Sequence, residues 1–314
     1  MDLSVIIVNW NTVTLLRNCL YTVYEKVSDI SFEVIVVDNA SEDDSAAMVR
    51  DQFPEANLIV NDSNLGFASA NNIGIMASKG RHILLLNSDT LVLDDVIQNS
   101  VAYLDQNKNC AAMGCKVLNQ DCTIQPSTSL FPGVKPLILQ TLGLDRLGFL
   151  PALQRYRVKN IDPAAVNRVE TISGCYLMVK KAVIDQIGGL DEDFFFFGEE
   201  TDWCERLRQH GHELHYAPVG QIIHLGGGSS RPLKYTRDLM LTQATVRLHR
   251  KHKGLWSALL VFLILWLFNA SRWGYWAVHS WLKGSYKAAD RSQHFKNICR
   301  DYHTVWPSNE GAGS

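Results

Sequence analysis

Several short polar clusters in this chain follow directly on apolar runs and carry groups that bind cations, phosphates or protons. Asn87-Ser88-Asp89 abruptly ends the run Ile83 to Leu86. A carboxylate at a strand's end suits a hard divalent cation that bridges a diphosphate, while the same residues also read as a cap for a helix beginning near Asp94. Gly198-Glu199-Glu200-Thr201-Asp202-Trp203 sets three acids behind four consecutive phenylalanines, Phe194 to Phe197. On a helix Glu199 and Asp202 share one face, and Glu200 points about 100° away from Glu199. An aromatic wall desolvates a carboxylate and lifts its pKa toward working pH, as a general base requires; acids in a first helical turn also serve as plain dipole partners. His224 stands before Leu225-Gly226-Gly227-Gly228-Ser229-Ser230 and offers a neutral imidazole ligand beside a glycine-rich loop.

Two further clusters suit a nucleotide. Asn9-Trp10-Asn11 closes the first apolar run and Asp38-Asn39-Ala40-Ser41 closes the second, at the strand ends where open α/β sheets bind ligands. Asp38 can accept hydrogen bonds from a base or ribose, or with Ser41 cap a helix whose first turn carries Glu42, Asp43 and Asp44. Asn64-Leu65-Gly66-Phe67, continuing to Asn71-Asn72-Ile73-Gly74, is small and amide-rich at a helix start. Small residues let a phosphate approach the backbone amides there, although an ordinary turn accounts for them nearly as well. The absence of GxGxxG after the first run weighs against a dinucleotide-binding domain.

The elements that must position these groups follow from the periodicity. Apolar runs at Ser4 to Val8, Glu33 to Val37, Asn57 to Val60, His82 to Leu86 and Ala111 to Val117 alternate with amphipathic stretches, the rhythm of parallel strands joined by helices. One strand is expected over Thr171 to Val179, helices over Ala182 to Ile187 and Glu199 to Gln209, and separate strands at Glu213 to Tyr216 and Gln221 to His224. Between Pro126 and Asp162 the pattern blurs into an irregular connection suited to acceptor contacts.

The chain has 314 residues, 46% of them hydrophobic, so a large core is expected. Its net charge of −2 removes the electrostatic case for a nucleic-acid partner. Seven cysteines at irregular spacings, with no CxxC pair, read as reduced thiols. With no export signal in the first residues, the expectation is a catalytic part inside the cell. Near the C-terminus Leu255 to Phe268 is almost purely apolar, Arg272 interrupts, and the aromatic-rich Trp273 to Leu282 follows. Basic residues flank both ends, which favours an in-plane or re-entrant helical pair at a membrane, with an oligomer interface as the alternative.

In order along residues 3 to about 230, Val5-Ile6-Ile7-Val8-Asn9-Trp10-Asn11, Val36-Val37-Asp38-Asn39-Ala40-Ser41, the Asn64 to Gly74 pieces, Leu85-Leu86-Asn87-Ser88-Asp89, Ser173-Gly174-Cys175, Gly189-Leu190-Asp191-Glu192 and Gly198 to Trp203 resemble the family 2 inverting glycosyltransferases, in particular their rhamnosyltransferase-like branch. The resemblance implies a GT-A fold, an α/β domain with a mixed, mainly parallel sheet, expected over residues 1–245; the apolar C-terminal stretches are expected to form a membrane-associated helical region over 246–314. It implies a donor site at Asn9, Asn11, Asp38, Asn64, Gly66, Phe67, Asn71, Asn87 and Ser88, and a Mg2+ or Mn2+ ion held by Asp89 with His224. The family's DxD-like motif here reads Asn-Ser-Asp, so its first acid is missing. Glu200 matches the base, with Glu199 and Asp202 as supporting acids and the choice between the two adjacent glutamates open; Asp191, Glu192 and Phe197 fall on the acceptor side. The implied reaction moves a sugar, rhamnose from dTDP-rhamnose first and UDP-hexoses next, to a saccharide or lipid-linked saccharide of bacterial surface polysaccharide at the cytoplasmic face of the membrane. A sugar-phosphate nucleotidyltransferase would want a Gly-rich, Arg-containing loop where this chain has Asn9 to Thr12. A non-catalytic nucleotide-sugar-binding protein would not need Asp38, Asp89, Glu200 and His224 together.

Overall fold

The computed structural model describes residues 1–144, 162–226 and 234–307. It divides into two compact units, residues 1–131 with 161–230, and residues 132–160 with 231–314. The boundary expected at 245/246 falls inside a continuous helix, and the segment after Phe131 joins the C-terminal unit. Gly227 to Ser230 and residues 145–161 of the irregular connection lie outside the described residues.

In the first unit the order is β1 (Leu3–Asn9), α1 (Val13–Lys26), β2 (Phe32–Asp38), α2 (Ser45–Gln52), β3 (Asn57–Val60), α3 (Gly66–Ala77), β4 (His82–Leu86), β5 (Thr90–Val92), α4 (Val96–Gln106), β6 (Cys110–Leu118) and β7 (Thr128–Ser129). After α5 (Val134–Thr141), which belongs to the second unit, come β8 (Asn167–Arg168), β9 (Thr171–Ile172), β10 (Tyr176–Lys180), α6 (Lys181–Ile187), α7 (Glu199–Gln209) and β11 (Glu213–His224). The strands form a mixed sheet in the order β3-β2-β1-β4-β10-β6-β11-β5. β1 to β4 are parallel, β10 runs against both β4 and β6, and β6 runs parallel to β11.

Both faces of the central strands are covered, which explains their unbroken apolar runs. Val5, Ile7, Leu84 and Leu86 pack with Leu16, Leu20 and Ile97 on one side; the alternate residues Ile6, Ile83 and Leu85 pack with Trp203 and Leu207 on the other. This period of two is the pleat made visible. Two expected elements differ. The strand expected over Thr171 to Val179 is broken by Ser173-Gly174-Cys175, so that β9 pairs with β7 and only β10 enters the main sheet. The two strands expected after Gly211 are one, β11, carrying a register shift between Tyr216 and Gln221. β5 is three residues long, too short for periodicity to reveal.

The second unit contains α5, α8 (Lys234–Lys253), α9 (Leu255–Lys283), α10 (Tyr286–Arg300) and a 3₁₀ turn, Tyr302–Val305. Leu137, Val246, Ala258, Val261, Ile264, Ile298 and Tyr302 form its core. The break expected at Arg272 is absent: α9 is a single helix of 29 residues. The Arg272 guanidinium donates to the Gln140 and Thr141 carbonyls at the end of α5, 2.9 and 2.7 Å away, and lies 4.0 Å over the Phe268 ring. A cation at a helix C-terminus is well placed against the helix dipole, so the charge costs the helix little. α9 ends instead at Gly284, whose φ of 58° is the left-handed conformation that stops helices.

Candidate active site

Parallel strands deliver their C-terminal ends to one edge of the sheet, and the polar clusters gather there. Asn9 and Asp38 are register partners at the ends of β1 and β2. Asn9 is fully buried and donates through Nδ2 to Asp38 Oδ1 (3.0 Å) and Ser41 Oγ (3.1 Å), while Thr12 Oγ1 donates to its Oδ1 (2.5 Å). Ser41 does not cap α2, which begins at Ser45; its Oγ and backbone N–H both donate to the Asp38 carboxylate, at 2.7 and 3.0 Å. Asp38 thereby holds the turn that follows β2, in which Ala40 takes a φ of 59°. Asn11, also left-handed at 54°, accepts from the Glu42 N–H. Non-glycine residues in that region store strain of order 1–3 kcal/mol and concentrate at functional sites.

The Asn64 to Phe67 turn is built by Asn64 Oδ1, which accepts from the Gly66 N–H (3.0 Å) and from Asn39 Nδ2 (2.8 Å). Gly66 has φ +83°, and a Cβ there would sit 2.5 Å from the Phe195 carbonyl, so only glycine fits. The Phe67 N–H donates to that same carbonyl (3.1 Å), tying the aromatic run to the start of α3. Asn71, expected in the donor site, is 1% exposed and donates to the Phe67 carbonyl inside its own helix. Glu192, expected on the acceptor side, is tied to α3 through Ser69 (3.0 Å) and Asn72 (2.8 Å). Asp191 Oδ1 accepts from the Asp193 N–H (2.9 Å). Phe197 adopts φ 70° and stacks edge-on against Phe196.

Beyond β4, Asn87, Ser88 and Asp89 turn into β5. Ser88 Oγ lies 3.1 Å from Thr12 Oγ1, which links this turn to the end of β1. Pairing of β11 with β5 sets His224 opposite Thr90, so its Nε2 stands 3.2 Å from Asp89 Oδ1 and 3.3 Å from Asn87 Nδ2. Adjacent ligands on an octahedral cation with bonds of about 2.1 Å lie roughly 3 Å apart, so this pair would fit two positions on a divalent ion, the others falling to groups outside the protein. Among the described residues there is no group of three or more His, Cys, Asp or Glu that could hold a metal.

The turn that splits β9 from β10 joins this pair to the acids of α7. The Asn87 N–H donates to the Cys175 carbonyl (3.3 Å), and the Gly174 N–H donates to Glu200 Oε1 (3.1 Å). Asp89 and Glu200 are both close enough to Cys175 for their charges, after burial itself, to push its thiol up to about 12. Burial raises the Glu200 carboxyl above its ordinary value, against two backbone hydrogen bonds that lower it. Glu199 is 3% exposed, and among the described residues Oε2 has no hydrogen-bond partner; burial and the neighbouring Glu200 charge raise it well above the carboxylate range. The acids thus separate. Glu200 turns to Gly174 and the sheet edge, whereas Asp202 is fully buried in an ion pair with Arg206 (2.8 Å), whose guanidinium also donates to the Ile187 and Gly189 carbonyls. Asp202, expected among the supporting acids, is the partner of Arg206 in that ion pair. A separate groove of about 350 Å³ lined by Asp94, Lys116, Ile124, Pro163 and Gln221 contains none of Asp38, Asp89, Glu200 or His224.

A sheet edge that carries Asp89 beside His224 and, across the Gly174 turn, a desolvated carboxylate suits transfer from a diphosphate donor to an alcohol. The sequence profile of glycosyl transferase family 2 matches residues 4–188, more than half of the chain. The chain belongs to glycosyl transferase family 2. A second profile, described as the N-terminal domain of galactosyltransferase, matches residues 156–226 and so covers both the Gly174 turn and α7. The chain is 27% identical to the low-salt glycan biosynthesis hexosyltransferase Agl10 of Haloferax volcanii, over 75% of this chain and 69% of that protein. It is 24% identical to the N-acetylglucosaminyl-diphospho-decaprenol L-rhamnosyltransferase of Mycobacterium tuberculosis, over 61% and 66%. These alignments span about two thirds of the relatives' own length. A mannosyltransferase of Pyrobaculum calidifontis, solved in complex with GDP-Man and Mn2+, matches with a TM-score of 0.58 and 16% identity over 97% of this chain and 84% of its own. The fold is thus GT-A, and this family 2 glycosyltransferase is an enzyme.

Residues with no local signature complete the site. Thr12, Asn39 and Gln125 are ordinary polar residues in sequence, and only their hydrogen bonds to Asn9, Asn64 and His224 mark them. The tripeptide Ser173-Gly174-Cys175 carries its signal only through the family pattern.

Proposed function

We propose that this family 2 enzyme transfers a sugar from a nucleoside-diphosphate donor, with inversion, to a saccharide or lipid-linked saccharide acceptor of surface polysaccharide. The observation that carries the reading is the bridge from β4 to α7, in which Cys175 meets Asn87 and Gly174 meets Glu200. Glu200 takes the acceptor hydroxyl proton as that oxygen bonds to the anomeric carbon and the bond to the diphosphate breaks. Asp89 and His224 would hold Mg2+ or Mn2+, which supplies charge neutralisation to the departing diphosphate. Asp38 faces the base, the Asn64 to Phe67 turn lines the donor, and Asp191 and Phe197 border the acceptor. dTDP-rhamnose is the first donor to assay, UDP-hexoses the next; the name of the mycobacterial relative supports both rhamnose and a lipid-linked acceptor.

Glu200→Gln keeps the volume and the acceptor for Gly174 N–H, so it should lower turnover by roughly 10²- to 10⁴-fold with donor affinity intact. Turnover within tenfold of wild type moves the base to Glu199. A panel of nucleotide sugars with Mn2+, read as sugar transfer and nucleoside diphosphate release, separates transfer from nucleotidyl chemistry, which releases pyrophosphate.

Membrane association at the cytoplasmic face belongs to the same reading. α9 is long and apolar enough to cross a bilayer by length and composition. Yet its exposed Trp256, Leu260, Leu263 and Leu267 recur on one face, while Ala258, Val261 and Ile264 are buried in the unit. One exposed stripe with tryptophans at its ends, Trp256 and Trp281 each at 83%, suits a helix lying in the interface plane. A second copy of the chain is the alternative occupant.

A further inference from the structure

The hydrogen bonds behind His224 run in one direction only. Asp121 Oδ1 is a carboxylate and accepts, so Thr123 Oγ1, 2.5 Å away, must spend its proton there. Asn119 Nδ2 therefore donates to Thr123 Oγ1 (2.9 Å), which turns Asn119 Oδ1 to accept from Gln125 Nε2 (2.8 Å). The same Gln125 Nε2 lies 3.2 Å from the His224 backbone carbonyl, again an acceptor, so a flipped amide would set two acceptors against each other. Gln125 Oε1 thus faces His224 Nδ1 at 2.7 Å, and Nδ1 carries the proton. In the neutral ring the other nitrogen, Nε2, is then the acceptor, 3.3 Å from Asn87 Nδ2 and 3.2 Å from Asp89 Oδ1.

We propose that Gln125 is a positioning residue: through the chain Asp121, Thr123, Asn119 it selects the His224 tautomer that presents Nε2, beside Asp89, to the divalent cation of the donor complex. The inference rests on the reading that Asp89 and His224 are the cation's ligands. Two acceptors held 3.2 Å apart are mutually unfavourable until a cation stands between them, so a fixed tautomer prepares the pair for metal. The device is local to one hairpin. Asn119 N–H and Thr123 carbonyl, at 2.8 Å, close it, and the Gln125 N–H bonds to the Val117 carbonyl (2.9 Å), beside the bridge that pairs Leu118 with Ile124.

The test uses the full chain and measures binding of dTDP and of UDP by calorimetry, each with and without Mn2+. For wild type, Mn2+ tightens nucleotide binding by a measurable factor. Gln125→Leu should cut that factor roughly 10- to 100-fold, the usual effect of losing a partner behind a metal ligand, with metal-free affinity unchanged. Full Mn2+ enhancement in Gln125→Leu overturns the inference, as does an equal loss in metal-free affinity. Asp89→Ala distinguishes the two readings: if it too retains the enhancement, the cation site itself is misplaced; if it alone loses it, only the role of Gln125 falls.

Discussion

Gly174 packs its α-carbon against the Glu200 side chain, and a methyl group built there would lie 2.6 Å from Oε1, 3.1 Å from Cγ and 3.2 Å from Phe67 Cε1. Comfortable separations are about 3.5 Å or more, so in Gly174→Ala the carboxylate must retreat by roughly 0.5–1 Å. The backbone imposes no penalty, since Gly174 is not among the residues with positive φ. The displaced atom is the far end of a flexible side chain, and alanine also reduces the freedom of the unfolded chain, worth about 0.4–1 kcal/mol. Stability should thus be nearly unchanged. Catalysis should not: a misplacement of about 1 Å costs up to roughly 100-fold, so kcat should fall about 10- to 100-fold, near 1.4–2.7 kcal/mol of barrier. The assay is initial-rate release of nucleoside diphosphate at saturating donor and acceptor, beside Tm and nucleotide affinity. A kcat within twofold of wild type would refute the placement of Glu200 at the reacting oxygen. An equal loss of nucleotide affinity would instead trace the effect to Phe67 and the donor turn.

Other expectations follow from the same geometry. Glu199 binds its proton more tightly folded than unfolded, so its contribution to stability is greatest at low pH and falls as pH rises from about 4.3 through its raised value; Glu199→Gln should therefore gain Tm relative to wild type at pH 8 but not at pH 4, and a constant difference would contradict its burial as a proton-holding acid. Asp202→Ala breaks a buried ion pair and should cost about 3–5 kcal/mol by denaturant titration, whereas an undiminished midpoint with lost turnover would return Asp202 to the chemistry. Leu260→Glu with Leu263→Glu removes apolar burial of about 1.5–3 kcal/mol each, so sedimentation with anionic vesicles should weaken at least tenfold; unchanged binding would leave the exposed face of α9 to a second copy, read by the oligomeric state in solution.

Much of the catalytic unit was legible before folding. The apolar runs of β1, β2, β4 and β6 and the helices between them follow from periodicity, because strands covered on both faces must be apolar throughout. Asp38, Asp89, Glu200 and His224 announced themselves as polar groups at strand and helix ends. Ser41 was ambiguous for a physical reason: a hydroxyl three residues beyond an aspartate can bond forward to a helix or back to the carboxylate, and here it bonds back to Asp38. Arg272 suggested a break because a charge inside an apolar run is costly, but the carbonyls that receive it lie 131 and 132 residues away in sequence.

The residues themselves thus determined an α/β sheet, its strand ends and the chemical character of the groups delivered there, since periodicity and side-chain type are local properties. Which acid meets the sheet edge was decided only by tertiary packing: the turn at Gly174 admits Glu200, Arg206 takes Asp202, and burial raises the Glu199 carboxyl. The orientation of His224 depends in the same way on Gln125, 99 residues earlier, because hydrogen-bond direction is set by the last acceptor in a chain of partners rather than by any residue alone.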